Sequence, residues 1–305
     1  MFYTDEAVNQ LLNYSKVLVD EINQSKDCPR ELKEIQYLVF AGMVSYYGFS
    51  SIEQIYKAFE KTSFQYTFRT LQDVFANHPG LSSEERMSLE NYNVPACLYT
   101  SVQKDPLSRF HVRRNIFISG SMSYPFDSVL EQCLHEVNHV MNSILYPVCK
   151  RKDALFLRLG LSLQNISTRE INSLTLEESF NTLQTAEIMQ HILSFSEYEI
   201  EDLDMKKIIL PLASAERKNR QPLGYDNCVP LVRPLYDHPS FSPLIREARL
   251  HGDIKAIRDH FDQKIGDGSY MELSNALDCV FAEVHTYVSP AKSKVKSLVS
   301  HYTAS

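Results

Sequence analysis

The sequence predicts an α+β protein that is predominantly α-helical, with one small antiparallel sheet just before a long buried helix. Three observations lead there. With only 9 glycines and 13 prolines in 305 residues, and Leu, Glu, Lys and Ala plentiful, the composition favours helices over a sandwich or barrel. Apolar residues recur at the helical period towards both ends of the chain. Between 95 and 123 that period gives way to alternation.

Residues 1–94 read as wholly helical. Thr4 caps a helix carrying Val8, Leu11, Leu12, Leu18 and Ile22, and a second helix follows Pro29 as ELKEIQYLVFAGMVSYY up to Gly48. SSIEQIYKAF and TFRTLQDVF continue the pattern, and SSEERMSLENY opens with a capping box, Ser82 and Glu85. ACLYTSV and FHVRRNIFIS then alternate about an Asp105-Pro106 turn, with Phe110, Val112, Ile116 and Ile118 facing inward. Ser128–Leu145 reads as a helix of about 18 residues, started by Asp127 or Ser128 with Glu131 and stopped at Pro147. NSLTLEESFNTLQTAEIM opens another, with Thr175 and Glu178 spaced as a capping box, and EYEIEDLD (197–204) forms a solvated connection. From about 205 the pattern is helical again, broken at GDGS. The organisation is thus a helical region at 1–94, a core at 95–200 and a helical region at 201–305, or one continuous two-lobed domain.

Charge and composition exclude several functions. Against 38 acidic residues stand 31 basic ones, a net charge of −7, and the one short basic cluster, Lys150-Arg151-Lys152, reads as a solvated turn. Nucleic acids and anionic membranes demand a concentrated positive patch, so neither is an expected partner. MFYTDEAVNQ lacks the basic start and apolar run of a signal peptide, and LVFAGMV (38–44) is too short to cross a bilayer. Six scattered cysteines (28, 97, 133, 149, 228, 279) read as reduced, mostly buried thiols, which makes the cytoplasm the expected location.

The chemistry concentrates in QCLHEVNHVM (132–141), which contains H-E-x-x-H as His135, Glu136 and His139. On a helix the two histidines share a face with about 5–6 Å between Cβ atoms, so both reach one ion at about 2.0–2.1 Å. Glu136 lies one step around, where a carboxylate reaches a metal-bound water without being a ligand. The plain alternative is a pair of ordinary core histidines. Yet two imidazoles and a carboxylate on an otherwise apolar helix must be satisfied, and a metal does so directly. Zinc sites that perform chemistry use three protein ligands and keep one position open. Glu177 and Glu178 fall in the first turn of the later helix, and the apolar Leu176, Phe180, Leu183 and Ile188 place Glu178 better than Glu177 to point inward. Against this stands simple capping by exposed first-turn glutamates.

This arrangement resembles the gluzincin branch of the zincin metallopeptidases, where H-E-x-x-H on one helix is completed by a glutamate on a later one. LEESFNTL is similar to the family's N-E-G-x-x-E-Y segment and puts the third ligand on Glu178, with 38 residues between it and His139. The resemblance covers about residues 95–195, and ALFLRLGLSLQ (154–164) fits a strand or hairpin between the two helices. It implies a zincin-like core, a sheet whose edge strand binds extended peptide, and one Zn2+ per chain on His135, His139 and Glu178, with Glu136 as general base. It also implies a peptide or protein substrate and an oxyanion donor from a C-terminal element. Tyr225, Tyr236 and His238 are the candidates, with Tyr225 and His238 favoured. One departure stands out: Thr182 occupies the place, four residues after the ligand glutamate, where the best-known gluzincins carry an aspartate that orients a histidine. Asn181 and Glu187 are the candidates for that work. Expected, then, is a soluble zinc metallopeptidase. The alternative is a non-catalytic zinc-binding protein of zincin fold acting as a binding or regulatory module. A metal-free helical interaction protein requires both motifs to be accidental. His111, His191, His260 and His285 read as structural or exposed, and Cys133 faces away from the histidines.

Overall fold

The computed structural model describes residues 3–23, 28–76, 94–104, 110–121, 124–147, 155–165, 171–214, 225, 227–251, 254–282 and 289–304. The capping box at Ser82 and Glu85, the turn at Asp105-Pro106 and the basic stretch 150–152 lie outside them. The chain is predominantly helical, with a small mixed sheet and a second, antiparallel one. It divides into two compact units, residues 1–137 with 185–221 and residues 138–184 with 222–305. The division falls inside two helices, α5 (Phe126–Met141) and α6 (Leu174–Ser194), each continuous through it.

In the first unit, α1 (Asp5–Asn23) starts where expected, the Ala7 N–H donating to Thr4 Oγ1 at 3.2 Å. It buries Val8, Leu11, Leu12 and Val19. α2 (Arg30–Tyr47) is buried from Ile35 to Ser45, and Gly42 lets it close onto Ile188 and Ile192 of α6. After α3 (Ile52–Glu60) the wholly helical expectation fails. Thr62–Thr67 is a strand, β1, because the β-branched and aromatic TSFQYT pairs in parallel with Arg114–Ser119. A short α4 (Leu71–Ala76) follows. β2 (Ala96–Lys104) and β3 (Phe110–Ser119) form the expected antiparallel pair, and the sheet order is β1-β3-β2, so it is mixed rather than antiparallel. As the central strand, β3 is covered on both faces: Ile116 and Ile118 are buried on one, and Phe117 on the other packs against Phe75 at 5.3 Å between ring centroids.

α5 ends at Met141, four residues short of the expected Leu145. The Asn142 N–H bonds the Asn138 and His139 carbonyls, and Ser143–Pro147 then leaves as β4. Ile144 and Tyr146 suit a strand, and pairing with β5 (Leu155–Leu159) outweighs one more helical turn. In the second unit, β5 and β6 (Ser162–Asn165) form the hairpin expected within 154–164, joined by Gly160-Leu161. Gly160 has φ 57°, the conformation that the first position of a type II′ turn requires. β7 (Ile171–Asn172) completes the order β4-β5-β6-β7. After α7 (Leu203–Ser214) of the first unit, Leu176, Phe180 and Leu183 of α6 share a core with α8 (Val229–Tyr236), α9 (Ser242–His251), α10 (Ile254–Ile265), α11 (Ser269–Ala282) and α12 (Pro290–Ala304), where Phe261 stacks on Tyr302 at 5.1 Å.

The five described cysteines are free, and only Cys133 and Cys228 are fully buried. Among the described residues, no helix is long and apolar enough to cross a membrane. The close fit at Gly42, where an added Cβ would sit 2.6 Å from an Ile192 methylene carbon, gives a stability prediction. Gly42→Val is expected to lower unfolding free energy by about 1–3 kcal/mol in urea denaturation.

Candidate metal centre

From Gln132 to Asn142 every residue of α5 and its end is buried. Six of them are polar, and each needs a partner away from water. Gln132 Nε2 donates to Glu136 Oε1 at 2.7 Å, and Glu136 Oε2 accepts the Leu98 N–H of β2 at 2.9 Å. Asn138 Nδ2 donates to Asn181 Oδ1 at 2.7 Å and Gln184 Oε1 at 2.9 Å. Asn142 Nδ2 donates to the Asn138 carbonyl at 2.6 Å. His139 meets carboxylates at both nitrogens, Glu178 Oε2 at 3.2 Å from Nε2 and Glu177 Oε1 at 3.4 Å from Nδ1.

One turn earlier on the same helix is His135, and one ligand atom from each of His135, His139 and Glu178 lies within 4.8 Å of the others. Two donors at about 2.0–2.1 Å on a tetrahedral ion stand about 3.3–3.4 Å apart. The 3.2 Å between His139 Nε2 and Glu178 Oε2 already meets that spacing. The two imidazoles are buried and Glu178 keeps 15% of its side chain exposed. This group could hold a metal ion.

The start of α6 differs from its sequence reading. Ser173 takes φ 59° just before the helix, and the Thr175 N–H donates to Asp278 Oδ1 of α11 at 3.2 Å. Glu178 turns to His139 instead of completing a capping box with Thr175. Both first-turn glutamates point inward, and Glu177 is the deeper, fully buried and paired with Arg249 Nη2 at 2.7 Å. Burial alone would raise the Glu177 carboxyl, but the Arg249 guanidinium outweighs it and holds the group below the usual carboxylate range.

The structure thus brings together His135, His139 and Glu178, with Glu136 next to His135 on the helix. Tyr225 stacks on Phe281 at 4.9 Å, and His238 Nδ1 meets Ser240 Oγ at 2.9 Å with its ring against Tyr302. Tyr236 is buried beside Phe180. Of the two candidates to orient a histidine, Asn181 accepts from Asn138 and Arg249, while Glu187 accepts from the Tyr46 hydroxyl at 2.7 Å. His191 meets Ser45 and His260 meets Tyr302, as structural histidines do, while the His111 and His285 side chains lie outside the described residues. The sequence ranks Glu177 behind Glu178 as the inward residue, and it does not single out Arg249. The one signal is spacing: Arg249 lies four residues after Ile245 and eight after Phe241, on the apolar face of the helix, whereas Arg246 does not. No model of a protein family, no curated protein and no solved structure matches the chain.

Burial would push His139 down, but Glu178 and Glu177 outweigh it and lift the metal-free imidazole from 6.5 to about 10. The sign follows: the protonated imidazole stabilises the metal-free fold fully below pH 6.5, and that contribution is lost as pH rises through about 10. A metal must displace this proton, so metal affinity rises across the same window. Calorimetric titration with a divalent metal near neutral pH, in two buffers of different ionisation enthalpy, is expected to show release of about one proton per ion bound. His139→Ala is expected to abolish both the binding and the release.

Proposed function

We propose that this chain is a zinc-dependent metallopeptidase that hydrolyses peptide bonds in a peptide or protein substrate. The observation that carries the reading is the convergence of two buried imidazoles and one partly exposed carboxylate, with Glu136 directly after the first histidine. The donor set fits zinc. Imidazole nitrogen and carboxylate oxygen are its ordinary ligands, and three of them leave a tetrahedral ion one position for water. When bound, zinc supplies a Lewis acid and a water acidified towards neutrality.

The chain's own residues would do the rest. His135, His139 and Glu178 hold the ion, while Gln132 and the Leu98 N–H fix both oxygens of the Glu136 carboxylate. Glu136 takes one proton from the attacking water and passes it to the leaving amine, so that water and amide become acid and amine. The same two hydrogen bonds favour a second reading, a non-catalytic zinc-binding module in which Glu136 is a structural member of the helix.

Metal content and cleavage separate these. Purified protein, supplied with zinc, is expected to hold about one ion per chain; His139→Ala loses it and Glu178→Gln weakens it. Glu136→Gln keeps the zinc and loses cleavage of a peptide library by about 100-fold or more. Zinc binding with no cleavage by either protein supports the module. Failure of the wild type to bind zinc ends the enzyme reading.

A further inference from the structure

Glu177 is a fully buried carboxylate that the proposed chemistry does not use. Both of its oxygens are fixed. Arg249 donates through Nη2 to Oε1 at 2.7 Å and through Nε to Oε2 at 3.2 Å, and the Leu161 N–H donates to Oε2 at 2.8 Å. The carboxylate lies directly over Gly160, where any Cβ would collide with it. The Gly160 N–H in turn donates to the Asn142 carbonyl at 2.9 Å, just past the end of α5. Arg158 braces the assembly, its Nη1 reaching the carbonyls of Gly160 at 2.7 Å and of Ala248 and Arg249 at 3.2 Å each. Arg249 also donates to Asn181 and Gln184, the two acceptors of Asn138. The turn and the guanidinium that hold Glu177 are thus linked to residues within a turn of His139, through Asn142 and through Asn181 and Gln184 to Asn138.

We propose that Glu177, clamped by Arg249 and the Gly160-Leu161 turn, is a positioning residue: it accepts the His139 Nδ1 proton and so turns the Nε2 lone pair towards the metal. This rests on the metal reading above. An imidazole has two nitrogens, and a hydrogen bond at one decides which is left to ligate. Here Nδ1 faces Glu177 at 3.4 Å, while Nε2 faces Glu178, the group's own ligand. The 3.4 Å separation is that of an ion pair rather than a settled hydrogen bond. Arg249 from α9 makes the C-terminal helices part of the centre rather than a cover for it.

A purely structural Glu177–Arg249 pair would move stability alone. The test is therefore zinc affinity, by competition with a chromophoric chelator, for wild type, Glu177→Gln and the double variant Glu177→Leu with Arg249→Met, with thermal melts of the metal-free forms alongside. The double variant removes both members of the buried pair together and so guards against simple misfolding. Folded variants are expected to bind zinc about 10–100-fold more weakly than wild type. Unchanged affinity in either folded variant overturns the proposal. If neither folds, nitrogen NMR of zinc-loaded wild type decides: a protonated His139 Nδ1 with Nε2 on the metal upholds it, and the reverse overturns it. A wild type that binds no zinc strikes the metal reading itself, an outcome distinct from unchanged variant affinity.

Discussion

A helix buried on every side cannot leave its polar side chains to water, and most of what surrounds α5 follows from that constraint. Gln132, Glu136, Asn138, His139 and Asn142 each take a partner recorded above, and these come from β2, from α6 and from the helix itself. Sliding α5 by one residue would rotate its side chains by about 100° and break the bonds to β2 and α6 at once. Hydrophobic packing by Leu130, Leu134 and Val137 holds the helix in the core without fixing that rotation. The polar partners fix it, so the orientation of the two histidines comes from the same bonds that let the helix be buried at all.

The local chemistry of α5 was legible because an H-E-x-x-H pattern and an amphipathic run concern neighbours in sequence, and helical geometry converts spacing into facing. The apolar positions of α6 show that its first turn faces inward, but they rank Glu178 above Glu177, and Glu177 is the deeper of the two. What the sequence hid is long-range. β1 lies in a stretch that reads as helical because its parallel partner, Arg114–Ser119, is about fifty residues away. The early end of α5 reflects pairing of Ser143–Pro147 with Leu155–Leu159, which no local propensity records. The sequence ranks Glu177 behind Glu178 as the inward residue and does not single out Arg249, and charged side chains are almost never fully buried without a partner. Their burial depends on each other, and each is ordinary when read alone.

Charge supplies the last step. Placing Glu177 and Glu178 side by side, both turned inward from one helical turn, is costly unless cations match them. Arg249 matches Glu177. In the metal-free chain a protonated His139 matches Glu178, which is why that imidazole is lifted so far. A divalent ion in place of that proton would bring two positive charges beside the Glu178 carboxylate. An apolar pair of similar volume would have met the needs of a merely structural core at lower cost. Two imidazoles and an inward-turned carboxylate thus form a group that could hold a metal ion, beside a second carboxylate that the fully buried Arg249 neutralises.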